Sequence, residues 1–401
     1  MYKRQGSEQS GALGACFGVT KLDLRGGALG FTVFRTDGLG GEVGTPLQVG
    51  DILTSVDGAP VDQWLRQLPS WSSNAASDPR SDPSWLAVEL SGALTTRARS
   101  FNVLRCESST SCSNPTTVTV NVADTLRAKI ISAGHLYNLD RPFFCDGRFS
   151  NSVTALAPPS QEGYDVVSYE RREGVATFQF DGFSGDDAWD AAFANGLADR
   201  PPMALFDTRL GNGGSVSSAQ FLLSALRDDT SPLTGLAINR TWDRLDYDGF
   251  VDGLLFCIES TPGFFYDACT GTITFKTNSP EASGRSTKVA WLNTADVSAN
   301  DFVPRLLQGR PNLRIFGPTP TSGAFGAVVG LPPLMPGEYS GGSIQIHDTR
   351  FASSSAGLLE VPFESGTGVS PDEVLVQTLS DALQGRDTML ARALAWLRET
   401  P

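Results

Sequence analysis

The chain has 401 residues, with 31 Lys+Arg against 44 Asp+Glu for a net charge of −13, 40% hydrophobic residues, six cysteines and only two histidines. That length accommodates two or three domains, and the acidic balance argues against a nucleic-acid binder, which shows a basic footprint. No apolar run approaches the roughly 18–20 residues of a membrane span; two histidines exclude a histidine-rich metal site, so a histidine base must be His135, His347 or a residue outside this chain.

Met1-Tyr2-Lys3-Arg4-Gln5 matches what a sequencing-library adapter encodes in frame, and a Gly/Ser/Ala-rich segment follows. Residues 1–17 are therefore set aside as a scar and a truncated remnant, and the missing signal peptide carries no information. Polar and apolar positions alternate over 19–34, which predicts a strand ending at Leu29-Gly30-Phe31-Thr32-Val33-Phe34. Gly50-Asp51 opens a second strand through Ile52, Leu53 and Val56, and Asp57-Gly58 turns it back. Asp62 is placed to cap a short helix over Gln63–Leu68. Residues 70–84 read as a Ser/Asp/Pro-rich loop, and Phe101–Leu104 with Thr117–Val122 reads as a hairpin whose connection holds Cys106 and Cys112.

Gly50-Asp51-Ile52-Leu53-Thr54-Ser55-Val56-Asp57-Gly58 follows a Gly-Asp-x-Ile/Leu-x-x-Val-Asp-Gly pattern that resembles a PDZ domain. Ala28-Leu29-Gly30-Phe31 resembles the carboxylate loop of such domains, which implies a peptide C-terminus held by backbone N–H groups at Leu29, Gly30 and Phe31. A plain β-strand over the same residues is the alternative. The domain is placed at 18–123, followed by an irregular connector or cap at 124–170.

From Val175 the pattern becomes α/β. Val175–Phe180, Met203–Asp207 and Lys288–Leu292 read as strands. Asp187–Leu197, Ser217–Leu226 and Ala299–Leu307 read as helices, as does the amphipathic Asp387–Arg398. Alternation of this kind predicts a layered α/β core over 171–401.

Three stretches of this core carry candidate chemistry. Asp207-Thr208-Arg209-Leu210-Gly211-Asn212-Gly213-Gly214 joins a strand to a helix, and its glycines let backbone N–H groups approach a negative charge. A tight turn is the plainer reading, and the absence of Gly-Lys-Ser/Thr weakens a phosphate loop. Ser298 follows a strand and opens a helix in Thr294-Ala295-Asp296-Val297-Ser298-Ala299-Asn300-Asp301, a seat for a nucleophile beside helix N-terminal N–H groups. An ordinary N-cap with Asp301 completing the capping pattern explains the same residues. Glu364-Ser365-Gly366-Thr367-Gly368-Val369-Ser370-Pro371-Asp372 reads alone as an acidic Gly/Pro turn.

Taken in order, with Gly317-Pro318-Thr319-Pro320-Thr321-Ser322-Gly323 between the last two, these motifs resemble the C-terminal-processing (tail-specific) peptidases and the related tricorn-core serine peptidases. The resemblance spans roughly 18–398. It implies a PDZ-like β-rich domain followed by a crotonase-type ββα spiral, and a serine endopeptidase acting on polypeptides without metal or cofactor. By this carry-over Ser298 is the nucleophile, and the N–H groups of Ala299 and Gly213 form the oxyanion hole. Asn212 stands one position late relative to the family loop. Lys-type members keep a lysine after the nucleophile; Ser322-Gly323-Ala324-Phe325-Gly326 has none, and Lys288 lies before the nucleophile strand. The His-type branch fits better: Glu364 takes the place of the acid that orients the histidine. The base itself is expected just upstream of the PDZ domain, where this chain begins; His135 is the other candidate, and His347 reads as a strand residue. The chain as given is accordingly expected to be inactive or nearly so. An inactive relative that binds peptide or another ligand is the alternative function.

Proximity pairs Cys106 with Cys112 and Cys257 with Cys269, leaving Cys16 and Cys145. Paired loop cysteines imply an oxidising compartment, periplasmic or extracellular. No Cys-x-x-Cys or companion histidine suggests zinc. Oligomeric state has no signature in the sequence.

Overall fold

The structure, a computed structural model, describes residues 13, 15–36, 47–67, 87, 90, 93–94, 97–122, 168–180, 182–183, 193–198, 200–209, 211, 213–214, 216–226, 233–239, 257–261, 268–275, 287–294, 296, 299–321, 327–330, 343–346, 350–354, 361–363 and 368–399. Segments 233–275 and 327–363 are described by backbone alone.

The N-terminal sheet begins with β1 (Ala15–Lys21) and β2 (Leu29–Thr36). It continues through β3 (Ile52–Val56), β4 (Ala59–Pro60), β5 (Ser100–Arg105) and β6 (Thr116–Asn121), with helix α1 (Val61–Leu65) after β4. The spatial order β1-β2-β3-β5-β6 is antiparallel throughout, with β4 folded back on β3. Period-2 patterning supplies the core, since alternate side chains share a face: Phe17, Val33, Leu53, Phe101, Val103 and Val120 are buried together beneath Trp64, Leu65, Leu90 and Leu94.

The Gly50-Asp51 signature has a physical cause on each residue. Gly50 has φ of +90°, and a Cβ there would lie 2.3 Å from Leu383 Cδ2. Asp51 is 1% exposed and accepts from Arg105 Nε at 2.9 Å and Nη2 at 2.7 Å, tying the start of β3 to the end of β5. Asp57 and Gly58 both take positive φ, 48° and 81°, as a two-residue hairpin turn that follows strand twist requires. The expected cap at Asp62 is corrected. The helix starts at Val61, with Pro60 at the N-cap, no side-chain cap bond, and Asp62 inside the first turn. Proline's fixed φ suits a helix start, so the chain turns before a carboxylate is needed.

In the C-terminal part, β7 (Ser168–Arg172), β8 (Val175–Gln179) and β9 (Met203–Asp207) are followed by helix α2 (Val216–Leu226). Next come β10 (Leu233–Asn239), β11 (Cys257–Thr261), β12 (Ala268–Phe275) and β13 (Lys288–Leu292), then helix α3 (Ala299–Leu307) and β14 (Leu313–Gly317). The remaining strands are β15 (Ala327–Gly330), β16 (Ser343–Ile346), β17 (Arg350–Ser354), β18 (Val361–Phe363), β19 (Glu373–Val374) and β20 (Gln377–Thr378). Helices α4 (Leu379–Leu383) and α5 (Thr388–Arg398) end the chain.

The central sheet runs β19-β14-β13-β9-β8-β7; all its pairs are parallel except the β7–β8 hairpin. A separate antiparallel sheet runs β11-β12-β10-β17-β18, and β15 pairs with β16. The central strands are covered on both faces, which is why they read as continuous apolar runs rather than alternating ones. Phe178, Phe206, Trp291 and Ile315 face α2 and α3 in one cluster. Leu205, Ala290, Leu292 and Phe316 face α5 through Met389, Leu390, Trp396 and Leu397 in another.

The last residues tie the two sheets together. Gln377 and Thr378 pair in parallel with Thr20 and Lys21 of β1. Leu379 packs with Ile52 and Cys112, and the Asp23 carboxylate accepts from the Ser380 N–H at 3.0 Å. The chain then returns to the central sheet as α5. Among the described residues no helix is long and apolar enough to cross a membrane.

Gly50→Ala places a methyl group in the left-handed region, at about 1–2 kcal/mol, and against Leu383. Chemical denaturation followed in the N-terminal sheet is expected to show at least that loss; an unchanged midpoint contradicts the packing described.

Candidate functional site

Parallel strands carry their following loops to one end of the sheet. The loops after β9, β13 and β14 therefore lie at the carboxyl edge, and the Gly368–Asp372 segment leading into β19 is joined to the last of them through Thr321, although these pieces are spread over 166 sequence positions between Asp207 and Asp372, counting both ends.

The first two loops are interlocked by buried oxygen acceptors. Asp296 is 0% exposed. Its Oδ1 accepts from the Gly211 N–H at 2.9 Å and from the Thr294 N–H at 3.4 Å, and its Oδ2 accepts from Thr208 Oγ1 at 2.6 Å. Thr208 Oγ1 in turn accepts from Trp291 Nε1 at 2.9 Å. Trp291 ends a stack across three neighbouring strands: Phe178 lies 5.0 Å from Phe206, and Phe206 lies 5.1 Å from Trp291. The aromatic core thereby sets the height of the loop above it. Asn300, in the first turn of α3 and also 0% exposed, accepts from the Gly213 N–H at 3.1 Å through Oδ1. A Cβ at Gly211 would lie 1.9 Å from Asn300 Nδ2, so only glycine lets the loop approach this closely.

Behind the loop, Arg209 is enclosed by two carboxylates, Asp207 through Nη2 and Asp387 through Nη1, each at 2.7 Å. Burial alone would favour the neutral guanidine; the charges of Asp207 and Asp387 and their hydrogen bonds more than offset it, so Arg209 is held above its ordinary pKa. Asp387 does double duty, since its Oδ1 caps α5 by accepting from the Leu390 N–H at 2.9 Å.

The other two loops are joined in the same manner. The Thr321 N–H donates to the Val369 carbonyl at 3.1 Å, and the Val369 N–H donates to Thr321 Oγ1 at 2.7 Å. A Cβ on Gly368 would lie 1.7 Å from the Thr321 carbonyl oxygen. Asp372 ends the motif by accepting from the Ile315 N–H at 2.8 Å.

Of the residues singled out from the sequence, Ala299 is the buried first residue of α3, and Gly213 is buried with φ of +84°. Leu29, Gly30 and Phe31 lie in β2, paired with Lys21, Thr20 and Val19, and Phe31 also pairs with Leu53 of β3. Ser298, Glu364, His135 and His347 lie outside the described residues, as does Asn212. Cys106 and Cys112 form a disulfide. Cys16 is also disulfide-bonded, to a cysteine whose side chain is outside the described residues, where the expected Cys257–Cys269 pairing falls too. Among the described residues no three His, Cys, Asp or Glu side chains converge as a metal site. Sequence reasoning missed Asp296, Asn300 and Asp387. The signal for the first two was their place two residues either side of Ser298; for the third it was an Asp at the start of an amphipathic run.

Solved structures share this fold. Mature CPAF in complex with lactacystin superposes with a TM-score of 0.55 at 18% identity, covering 96% of this chain and 82% of that one. The fold is that of CPAF. Mature CPAF alone gives a TM-score of 0.54 at 18% identity over the same shares. A putative S41 protease from Bacteroides fragilis aligns more loosely, with a TM-score of 0.43 at 12% identity over 96% of this chain and 83% of that one. No family model and no curated protein matches the sequence. What this chain shares with CPAF is thus its three-dimensional arrangement.

Removing one partner of a buried ion pair costs about 3–5 kcal/mol. Asp387→Ala removes the Arg209 partner and the helix cap together, and is expected to lose at least about 3 kcal/mol in chemical denaturation. Asp387→Asn keeps an oxygen for the Leu390 N–H and is expected to lose clearly less. Equal losses would contradict the double role.

Proposed function

We propose that the chain is a serine peptidase of the tail-specific type, working in the periplasm or outside the cell on polypeptide substrates. The observation that carries the reading is the Gly211 N–H to Asp296 Oδ1 bond of 2.9 Å, which joins the glycine loop to the segment containing Ser298 across adjacent parallel strands. Two motifs that are unremarkable alone become one site. The fold shared with CPAF agrees with the architecture that the motif order implies, and the Cys106–Cys112 disulfide agrees with an oxidising compartment.

In this reading Ser298 Oγ attacks the scissile carbonyl carbon while its proton passes to a histidine. Backbone N–H groups of Ala299 and of the 211–214 loop stabilise the oxyanion. The imidazolium returns the proton to the leaving amine, and water releases the acyl group by the same relay. Glu364 holds the histidine in the working tautomer. His135 is the candidate base. The PDZ-like sheet takes an extended segment of the substrate at the Leu29 end of β2, where β3 pairs only from Phe31 onward.

A second reading, a ligand-binding relative without hydrolytic activity, is favoured by one observation: the Gly213 N–H is already engaged by Asn300.

A fluorophosphonate probe distinguishes the two. The peptidase reading predicts labelling at Ser298 that Ser298→Ala abolishes. His135→Ala abolishing it makes His135 the base; full labelling in that variant places the base elsewhere. No labelling of the protein contradicts the peptidase reading and favours the binder. Lactacystin, which CPAF holds in its complex, serves as a second probe.

A further inference from the structure

Gly213 and Gly214 present their N–H groups in different environments. Gly213 is buried, and its N–H points at the carboxamide oxygen of Asn300, itself 0% exposed, at 3.1 Å. A substrate carbonyl could reach that N–H only by displacing a side chain from the protein interior. Gly214 is exposed, has φ of +124°, and its N–H donates to no group among the described residues. Its conformation is held from behind: the Phe183 N–H donates to the Gly213 carbonyl at 2.7 Å, and a Cβ on Gly214 would lie 2.1 Å from the Phe183 carbonyl oxygen. No other residue type fits.

Asn300 carries a cost that packing alone does not explain. Its Nδ2 is buried without a hydrogen-bond partner, a penalty of about 1–3 kcal/mol that an apolar side chain of the same shape would not incur. Among the described residues its one side-chain hydrogen bond is the one to the Gly213 N–H.

From this pairing, and resting on the peptidase reading above, we infer that Asn300 is a positioning residue: it turns the Gly213 N–H inward, so that Gly214, with Ala299, presents the oxyanion donors. With the Gly213 N–H held by the buried Asn300, Gly214 is the one of the two glycines left with an exposed N–H to offer. The occupied Gly213 N–H thereby becomes part of the preorganisation of the site.

The test uses a fluorophosphonate, whose phosphoryl oxygen takes the place of the oxyanion after Ser298 is phosphonylated with loss of fluoride. In the crystal structure of the adduct, that oxygen is expected within about 3 Å of the N atoms of Gly214 and Ala299, with Gly213 still bonded to Asn300. In kinetics, Asn300→Leu, which fills the space without an acceptor, is expected to lower the maximal inactivation rate by about 100-fold with the half-saturating concentration unchanged. Asn300→Asp, which keeps an oxygen, is expected to recover most of that rate. An adduct in which the phosphoryl oxygen sits on Gly213, with Asn300 displaced, overturns the inference and leaves the peptidase reading standing. An Asn300→Leu protein that is labelled as fast as the parent overturns it as well. If the parent forms no adduct, the peptidase reading and this inference fall together.

Discussion

The carboxylate of Asp296 is the interaction on which the site depends. Burying a carboxylate costs several kcal/mol unless its oxygens are fully engaged. Here the engagement comes from two different loops: the Gly211 N–H and Thr208 hydroxyl after β9, and the Thr294 N–H after β13. Neither loop can move without leaving a buried carboxyl oxygen short of its donors, so the pair behaves as one body. Catalytic preorganisation of the kind proposed needs donors and nucleophile fixed relative to each other before substrate arrives, and a carboxyl group clamped between their backbones would supply this.

The clamp is braced from below and behind. Below it, Phe178, Phe206 and Trp291 stack in register across β8, β9 and β13, and the indole N–H of Trp291 reaches Thr208. Behind it, Arg209 links the loop to the N-cap of α5. The C-terminal thirty or so residues thus serve three places at once. Val369 packs in the core beneath α3, Gln377–Leu383 docks on the N-terminal sheet, and α5 covers the rear of the central sheet. Stability of the site and attachment of the N-terminal sheet are therefore coupled through one short stretch of chain.

Much of this was legible in the sequence where local chemistry decides the outcome. Asp57-Gly58 turned where its left-handed preference requires. Met203–Asp207 and Lys288–Leu292 read as buried strands because both faces are covered. Ala299–Leu307 is helical over the predicted span, and Cys106 found Cys112 six residues away. What escaped depends on contacts between distant segments. Gln377–Leu383 carries no mark of its destination, since a two-residue strand and a five-residue helix are specified by the sheet they join. Asp296 and Asn300 look like ordinary polar residues near a helix start; only the fold shows that their oxygens receive N–H groups from a loop more than eighty residues away. Asp62 misled because a carboxylate near a helix start is a sound capping signal, which Pro60 made unnecessary.

Hydrogen exchange at the backbone amides of Gly211, Gly213 and Thr294 tests the clamp most directly. These are loop amides, yet they are expected to exchange as slowly as those of Leu205 and Ala290 in the flanking strands, because each is bonded to a buried side-chain oxygen of Asp296 or Asn300. In Asp296→Ala the Gly211 and Thr294 amides are expected to become fast together while the strands stay protected. Rapid exchange of these amides in the unaltered protein would contradict the account, because the two loops would then be moving independently.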